Sequence, residues 1–378
     1  MFTETFLPHA NGVTTSLLNA REGLKRRGHK VTIYSAGPPL LDASDVHFYG
    51  GKIFHLYPDF PIAFYPSKRT IKNNRRVRRE HADLVHIHAP GPMGLRGYKA
   101  SKELKVPLVL THHTVLEPLV RYAPFGWKTL YRAGTKFLNK KLVGKSKLVV
   151  APSRATAHDL ATKYPNAKDK IRIVPTGIDT ERFNPYLDGS RIRDDWGYTD
   201  GERVILYLGR LSYEKRVDVL LDAFAQVRKR EPLARFVIAG TGPANDELQD
   251  HARGLGIEDV VRFEGHIPGH KLPQTYAAAD AFASASEVET QGLTLLEAMA
   301  VGKPCAVSAH GGYLDFVQEG ENGFLFPVHD ASATTEALMK ALDAPSTIRT
   351  NARRTAERYS TQACVPMLEK VYSETVLA

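Results

Sequence analysis

DAFASASEVETQGLTLLEAMAVGKP, residues 280 to 304, changes its periodicity halfway along. Its first part is a short apolar run, the pattern of a strand buried on both faces. From Leu293 to Val301 the apolar residues return every three to four positions, the spacing of a helix. VETQG lies between them as a loop, so the stretch reads as strand, loop and helix, with the helix opening just after Gly292. The first amides of a helix have no partner inside it, and the helix dipole adds partial positive charge there. The loop therefore builds an anion site. Glycine at 292 is expected to let the backbone approach a phosphate where a Cβ would intrude.

Two acids frame that site. Glu289 precedes the helix, and Glu297, with seven residues between them, lies about one turn inside it. The Glu297 side chain leans back toward the amino end, as helical side chains do. A ligand with a central diphosphate and hydroxyl-bearing rings at both ends would use both acids, because carboxylates bind hydroxyl pairs strongly. A nucleotide sugar is such a ligand. The plainer reading is a surface acid plus an acid favoured by the helix dipole.

Outward from this stretch, short apolar runs alternate with longer amphipathic ones, the signature of βαβ units around parallel sheets. Strands are expected at Val31–Ser35, Asp83–His86, Leu108–Thr111, Lys147–Ala151 and Ile171–Val174, then at Val204–Gly209, Phe236–Gly240, Val260–Glu264, Ala281–Ser284, Cys305–Ser308 and Phe324–Phe326. A chain of 378 residues exceeds one hydrophobic core. The expectation is an α/β protein of two doubly wound, Rossmann-like domains, residues 1–185 and 186–360, facing across a cleft that holds the ligand. Pro and Gly interrupt both periodicities from Pro175 to about Arg191, and a last helix over 361–378 is expected to return to the first domain. FTETFLPHANGV looks like the end of a first strand and its loop. With only Met1 ahead of it, either the start lies upstream or this first edge of the sheet is truncated.

Composition narrows the classes. Apolar residues make up 43% and charged residues 24%, an ordinary globular balance. Cys305 and Cys364 are too few for a disulfide framework or a four-ligand metal site, which fits a reducing cytoplasmic setting. No apolar run is long enough to span a bilayer, and the first 20 residues lack the charged and apolar regions of a signal peptide, so neither a span nor export is expected. The net charge of +10 is uneven: residues 1–190 hold 31 Lys+Arg against 14 Asp+Glu (+17), and the remainder 20 against 27 (−7).

A lobe of that sign attracts phosphates of nucleic acid or of an anionic bilayer. SKRTIKNNRRVRRE, residues 67–80, carries seven cations, among them Lys68, Arg69, Arg75, Arg76, Arg78 and Arg79. The stretch from Val115 to Lys147 mixes eight cations, Lys128 included, with Trp127 and four other aromatics. Cations and rings mixed in this way suit a lipid headgroup interface, the alternative being a solvated helix face with core aromatics.

In YLGRLSYEKRVDVLL, Arg210 follows a strand end and Lys215 lies five residues on. Two cations there would neutralise a diphosphate leaving with the electrons of a broken glycosidic bond. No Asp-x-Asp pair is present for a Mg-dependent nucleotide-sugar site, so no metal is expected. Arg262 to His266, after another strand, is the region suspected of meeting the base.

These motifs resemble, in order and over essentially the whole chain, the retaining GT-B glycosyltransferases of family 4. FLPHANGV is similar to their acceptor loop, THHT (111–114) to their strand-end histidine motif, VPTGIDTERFNP to the interdomain signature and GRLSYEKR to the diphosphate motif. IAGTGP and EVETQGLTLLEAMAVGKP complete the set. The resemblance implies that Glu289 holds donor-sugar hydroxyls and Glu297 the ribose. It gives the diphosphate to Arg210, Lys215 and the amides of Gly292, Leu293 and Thr294. It also implies that His113 touches the sugar near the reacting centre and that Gly12, beside Asn11 in the acceptor loop, lets the first helix face the donor. Asn11 and Thr176 stand where the family commonly has Gly and Asn. His112 is expected in the core, and His86 and His88 as structural or acceptor-side residues.

The mechanism implied is front-face substitution with retention, helped by domain closure that excludes water. The basic aromatic stretch and ETQGL are similar to bacterial diacylglycerol glycosyltransferases. That implies transfer of a hexose, glucose favoured, from a nucleotide sugar to a lipid such as diacylglycerol by a protein peripheral on the inner face of the cell membrane. UDP-hexose is favoured over GDP-mannose; an α-mannosyltransferase acting on a glycolipid or phosphoinositide is the alternative. A nucleotide-sugar epimerase and a basic nucleic-acid-binding scaffold are more remote, and nucleic acid is not an expected partner.

Overall fold

Strand order shows how this chain builds its site. The computed structural model describes residues 1–7, 11–37, 44–50, 52–53, 61–62, 68–88, 90–113, 126 and 128–377. They form two units, Met1–Gly177 with Thr361–Ala378, and Ile178–Ser360.

The first unit runs β1 (Phe2–Thr3), α1 (Gly12–Arg26), β2 (Ile33–Ser35), β3 (Val46–Phe48), β4 (Lys52–Ile53), β5 (Pro61–Ile62), α2 (Lys68–Val77), β6 (Val85–Ile87), α3 (Pro92–Leu104), β7 (Leu108–Thr111), α4 (Lys128–Lys145), β8 (Leu148–Ala151), α5 (Arg154–Lys163) and β9 (Ile171–Ile173). Its seven-stranded sheet has the order β3-β2-β1-β6-β7-β8-β9, every pairing parallel. Alternate strand residues feed two cores: Leu110 and Val149 enter one, Val109 and Val150 the other with Leu17 and Leu368.

The first strand corrects the sequence reading. It is not an edge: β1 lies between β2 and β6, near the middle of the sheet. Two residues suffice because hydrogen bonds run along both sides, Tyr34 N–H to the Met1 carbonyl at 2.8 Å and His88 N–H to the Phe2 carbonyl at 2.9 Å. The short strands β3, β4 and β5 escaped the sequence, being too brief to establish a period.

The second unit runs α6 (Ser190–Trp196), β10 (Arg203–Leu208), α7 (Val217–Arg230), β11 (Ala234–Ala239), α8 (Asn245–Gly254), β12 (Val261–Gly265), α9 (Leu272–Ala278), β13 (Ala281–Ser284), α10 (Leu293–Ala300), β14 (Cys305–Ser308), β15 (Phe324–Phe326), α11 (Ala331–Leu342) and α12 (Ser346–Arg358). Its parallel sheet has the order β12-β11-β10-β13-β14-β15. Ile205 and Tyr207 enter the core beneath α7 and α11, and Val204 and Leu206 the core beneath α9, α10 and α12. Helices on both faces make the sheet doubly wound.

The seam falls at Gly177 and Ile178, ahead of residue 185. Ile178 N–H donates to the Tyr359 carbonyl at 2.9 Å, Phe183 is buried, and the Arg353 guanidinium donates to the carbonyls of Thr180, Phe183 and Ala300. The segment 178–185 is thereby fastened to the second unit. The last helix, α13 (Thr361–Leu377), belongs to the first unit: Glu369 pairs with Arg27, Glu374 with Arg172, and Tyr372 Oη lies 2.6 Å from His86 Nδ1.

Two loops of the second unit touch through glycine. A Cβ on Gly240, whose φ is 144°, would lie 1.7 Å from the Gly209 carbonyl oxygen. Gly240→Ala should therefore cost more than about 2 kcal/mol in urea unfolding. Gly254, in α8, meets nothing within 4 Å, so Gly254→Ala should be neutral or stabilise by up to about 1 kcal/mol.

Candidate active site

Strands β10 and β13 are sheet neighbours, yet the connections that follow them depart to opposite sides, α7 to one core and α10 to the other. A crevice opens where connections diverge in this way, at the carboxyl ends of the strands. Arg210 and Lys215 follow β10; Glu289, Gly292 and α10 follow β13. One topological feature thus gathers the second unit's expected donor-site residues.

Gly292 is the N-cap residue of α10 in a left-handed conformation, φ 92° and ψ 58°. A Cβ there would sit 2.6 Å from the Tyr313 ring. Its conformation and a buried tyrosine from within the unit already require a glycine here, a reason that the sequence did not offer. The first hydrogen bond of the helix is Leu296 N–H to the Gly292 carbonyl, 3.1 Å, so the amides of Leu293 and Thr294 come ahead of the ladder.

Glu289 is held on both sides. Gly312 N–H donates to its carbonyl at 2.9 Å, while Lys215 Nζ lies 2.9 Å from its Oε2. The same ammonium reaches Ser286 Oγ at 3.3 Å and the Val288 carbonyl at 3.4 Å. Tyr313 Oη lies 2.8 Å from Ser284 Oγ and 3.4 Å from Glu289 Oε2. The cation expected at the diphosphate is thus tied to the acid expected at the sugar.

Glu297 is 8% exposed, and the Tyr276 hydroxyl donates to its Oε2 at 2.8 Å. Burial pushes its carboxyl up to about 7, against the Tyr276 hydrogen bond and the Arg182 charge, which both favour the ionised form. Arg210 is placed by its backbone: Tyr207 Oη donates to its carbonyl at 2.7 Å, and the loops after β10 and β11 are joined by Leu211 N–H to Thr241 and Ala244 N–H to Leu211. The region suspected of meeting the base does not follow a strand as expected: Arg262 and Glu264 lie within β12 and pair with each other, and only His266, which is exposed, comes after it.

In the first unit, His113 Nε2 lies 3.0 Å from His88 Nδ1, and the two rings stack. His86 stands between Thr111 Oγ1 and Tyr372 Oη, both at 2.6 Å. Burial lowers the His113 imidazole to about 3 and holds His86 and His88 well below the usual histidine range, so all three are neutral at pH 7. His112 is buried, with Nε2 3.3 Å from Asn139 Oδ1. Asn11 caps α1 by accepting from Thr14 N–H at 3.0 Å, and Gly12 is the first helical residue.

Arg75, Arg76, Arg78 and Arg79 are exposed on or just beyond α2, where Ile71 is also exposed; Lys128 is exposed at the start of α4, where Leu130 and Phe137 project as well. Lys68 and Arg69 lie in α2, their side chains outside the described residues, as is the whole of Trp127. Among the described residues no three His, Cys, Asp or Glu side chains gather as a metal site, and no helix is long and apolar enough to cross a membrane.

Sequence reading missed Tyr276 and Tyr313, each reaching an acid at 289 or 297. Tyr276 lies in no position that announces such a contact, whereas Tyr313 follows the Gly311–Gly312 pair, a signal the sequence reading passed over. The unit as built can receive an anion beside an ammonium and can present two carboxylates to hydroxyl groups.

The raised Glu297 pKa carries a stability consequence. The folded protein binds this proton more tightly than the unfolded chain, so the stabilisation is full below about pH 4 and is lost as pH rises through about 7. Glu297→Gln removes the buried charge. At pH 8 it should stabilise the protein by about 3 kcal/mol, and at pH 5 by less than about 1 kcal/mol, read as thermal midpoints of both proteins.

Comparison with known proteins agrees with this architecture. The family described as Glycosyltransferase Family 4 matches residues 10–182, and Glycosyl transferases group 1 matches residues 188–361. Alpha-monoglucosyldiacylglycerol synthase of Streptococcus pneumoniae is 34% identical over 356 residues, 91% of this chain and 78% of that protein. The enzyme of the same name from Acholeplasma laidlawii is 29% identical, covering 86% and 84%. A GDP-mannose-dependent alpha-mannosyltransferase of Corynebacterium glutamicum is 28% identical, covering 88% and 78%. Among solved structures, sucrose-phosphate synthase of Thermosynechococcus elongatus superposes with a TM-score of 0.80 at 19% identity over 98% of each chain. The chain belongs to the family 4 glycosyltransferases and carries their GT-B fold.

Proposed function

We propose that this glycosyltransferase moves a hexose, glucose in the favoured reading, from a UDP-sugar to a membrane lipid such as diacylglycerol, with retention at the anomeric carbon. The observation that carries the reading is the pairing of Lys215 with Glu289 at 2.9 Å beside the amino end of α10. A diphosphate arriving at those amides competes for the same ammonium and frees Glu289 for sugar hydroxyls. Two relatives bearing the diacylglycerol name support the acceptor class.

In this mechanism the anomeric carbon–oxygen bond breaks and the diphosphate departs with its electrons, stabilised by Arg210, Lys215 and the amides of Gly292, Leu293 and Thr294. The acceptor hydroxyl attacks the same face, and its proton passes to the departing phosphate oxygen. Glu289 orients the sugar, Glu297 holds the ribose, and neutral His113 offers a hydrogen bond near the reacting centre. The electrostatic work falls to side-chain cations and backbone amides, without a metal ion.

The exposed arginines of the α2 region and the exposed Leu130 and Phe137 of α4 support a peripheral site on the inner membrane face. Cations meet lipid phosphates while apolar side chains enter the boundary.

The first test is the thermal midpoint with UDP, GDP and ADP in excess chelator, followed by assay of lipid product from UDP-glucose and diacylglycerol. Stabilisation by UDP with α-glucosyl lipid formed supports the reading. Preference for GDP would favour the mannosyl alternative, and no shift with any nucleotide would reject a donor site. Glu289→Ala should lower kcat by roughly 10²- to 10³-fold with the fold retained.

Replacing Arg75, Arg76, Arg78 and Arg79 together by Ser should weaken sedimentation with anionic vesicles by at least about tenfold at low salt. UDP binding should be unchanged. Unaltered sedimentation would exclude these arginines as the anchor.

A further inference from the structure

The partner of Glu297 is a buried tyrosine. Tyr276 lies in α9 with its ring wholly buried, edge-on to Phe183 at 5.9 Å between centroids and tilted against Phe282 at 6.1 Å. Flipping the ring leaves Oη on the rotation axis, so packing fixes where the hydroxyl sits. It stands 2.8 Å from Glu297 Oε2 and has one proton to donate.

We propose that Tyr276 is the positioning residue for Glu297: its hydroxyl pins Oε2, so that Oε1 and the remaining lone pair of Oε2 are presented to the vicinal hydroxyls of a ribose. This rests on the reading of Glu297 as the ribose acid. A carboxylate held at one oxygen keeps its plane fixed, and a fixed plane lets both hydroxyls of a diol donate without further ordering.

A second consequence concerns protonation. The hydroxyl bonds to the ionised carboxylate and so favours it, opposing the burial that raises the acid. Arg182 acts in the same direction as Tyr276. Cys305 on β14 and Tyr313 are the other titratable groups that act on Tyr276, and both are kept neutral by burial. Losing the Tyr276 hydroxyl therefore moves Glu297 further toward its protonated form, which presents fewer acceptors to a diol.

The test uses the full chain and calorimetric affinities for UDP and 2′,3′-dideoxy-UDP across pH 5 to 9, with the guanosine pair substituted if GDP is the nucleotide bound. The ratio of the two affinities cancels the titration of the phosphate. Tyr276→Phe should weaken UDP by about tenfold while leaving dideoxy-UDP unchanged. The pH at which the ratio half-collapses should rise. Equal loss for both nucleotides, or none for either, overturns the proposal.

Glu297→Gln separates this inference from the reading beneath it. If that variant keeps the wild-type ratio, Glu297 is not the ribose acid, and both ideas fail. If it loses the ratio while Tyr276→Phe keeps it, the ribose reading stands and the positioning role fails. Should Tyr276→Phe not fold, 3-fluorotyrosine at 276 preserves the size and strengthens the donor. The half-collapse should then move to lower pH, and an unmoved profile overturns the proposal.

Discussion

Right-handed crossover between parallel strands is the constraint on which the second unit depends. With β11 and β12 on one side of β10 and the next strand, β13, paired on its other side, right-handedness sends the later connections to the opposite face. The loops after β10 and β13 then leave the sheet in opposite directions. Arg210 and Lys215 lie in one, Glu289 and Gly292 in the other, and no local preference of either loop would bring them together. The contact of Gly240 with the Gly209 carbonyl keeps the loop after β11 tight against the first of these.

Within that crevice the charges are arranged in two ways. Lys215 and Glu289 neutralise each other at the rim, where each keeps partial exposure and either can exchange its partner. Glu297 is buried and has a neutral hydroxyl for a partner, so its charge is costly and its pKa rises. The first acid is set for exchange and the second for position. Stability is given up at the second, where burial opposes the ionised form.

The first unit distributes its charge differently. Its buried His86, His88 and His113 are neutral and tied to one another or to hydroxyls, whereas Arg75, Arg76, Arg78 and Arg79 around α2 lie at the surface among few acids. Arg78 reaches Glu103 and Arg76 reaches His47, both exposed contacts that solvent screens. The basic excess therefore remains available to an external anion. The unit is thus neutral at these buried histidines and cationic on this part of its surface.

Periodicity determined much of the architecture by itself. Leu108–Thr111, Ala281–Ser284, Cys305–Ser308 and Phe324–Phe326 have the boundaries their apolar runs predict, because strands buried on both faces admit no polar residue until they end. The helix opening after Gly292, and the two acids around it, were legible for the same local reason. Tertiary structure alone decided the rest. It placed a two-residue β1 inside its sheet, since pairing partners and not length hold a short strand. It gave Gly292 a tyrosine 21 residues away as its reason, and it brought Tyr276, also 21 residues away, onto Glu297. Spacing along the chain encodes which face of an element a residue occupies. It does not encode which other element will pack there, and that is where the polar contacts of the site are made.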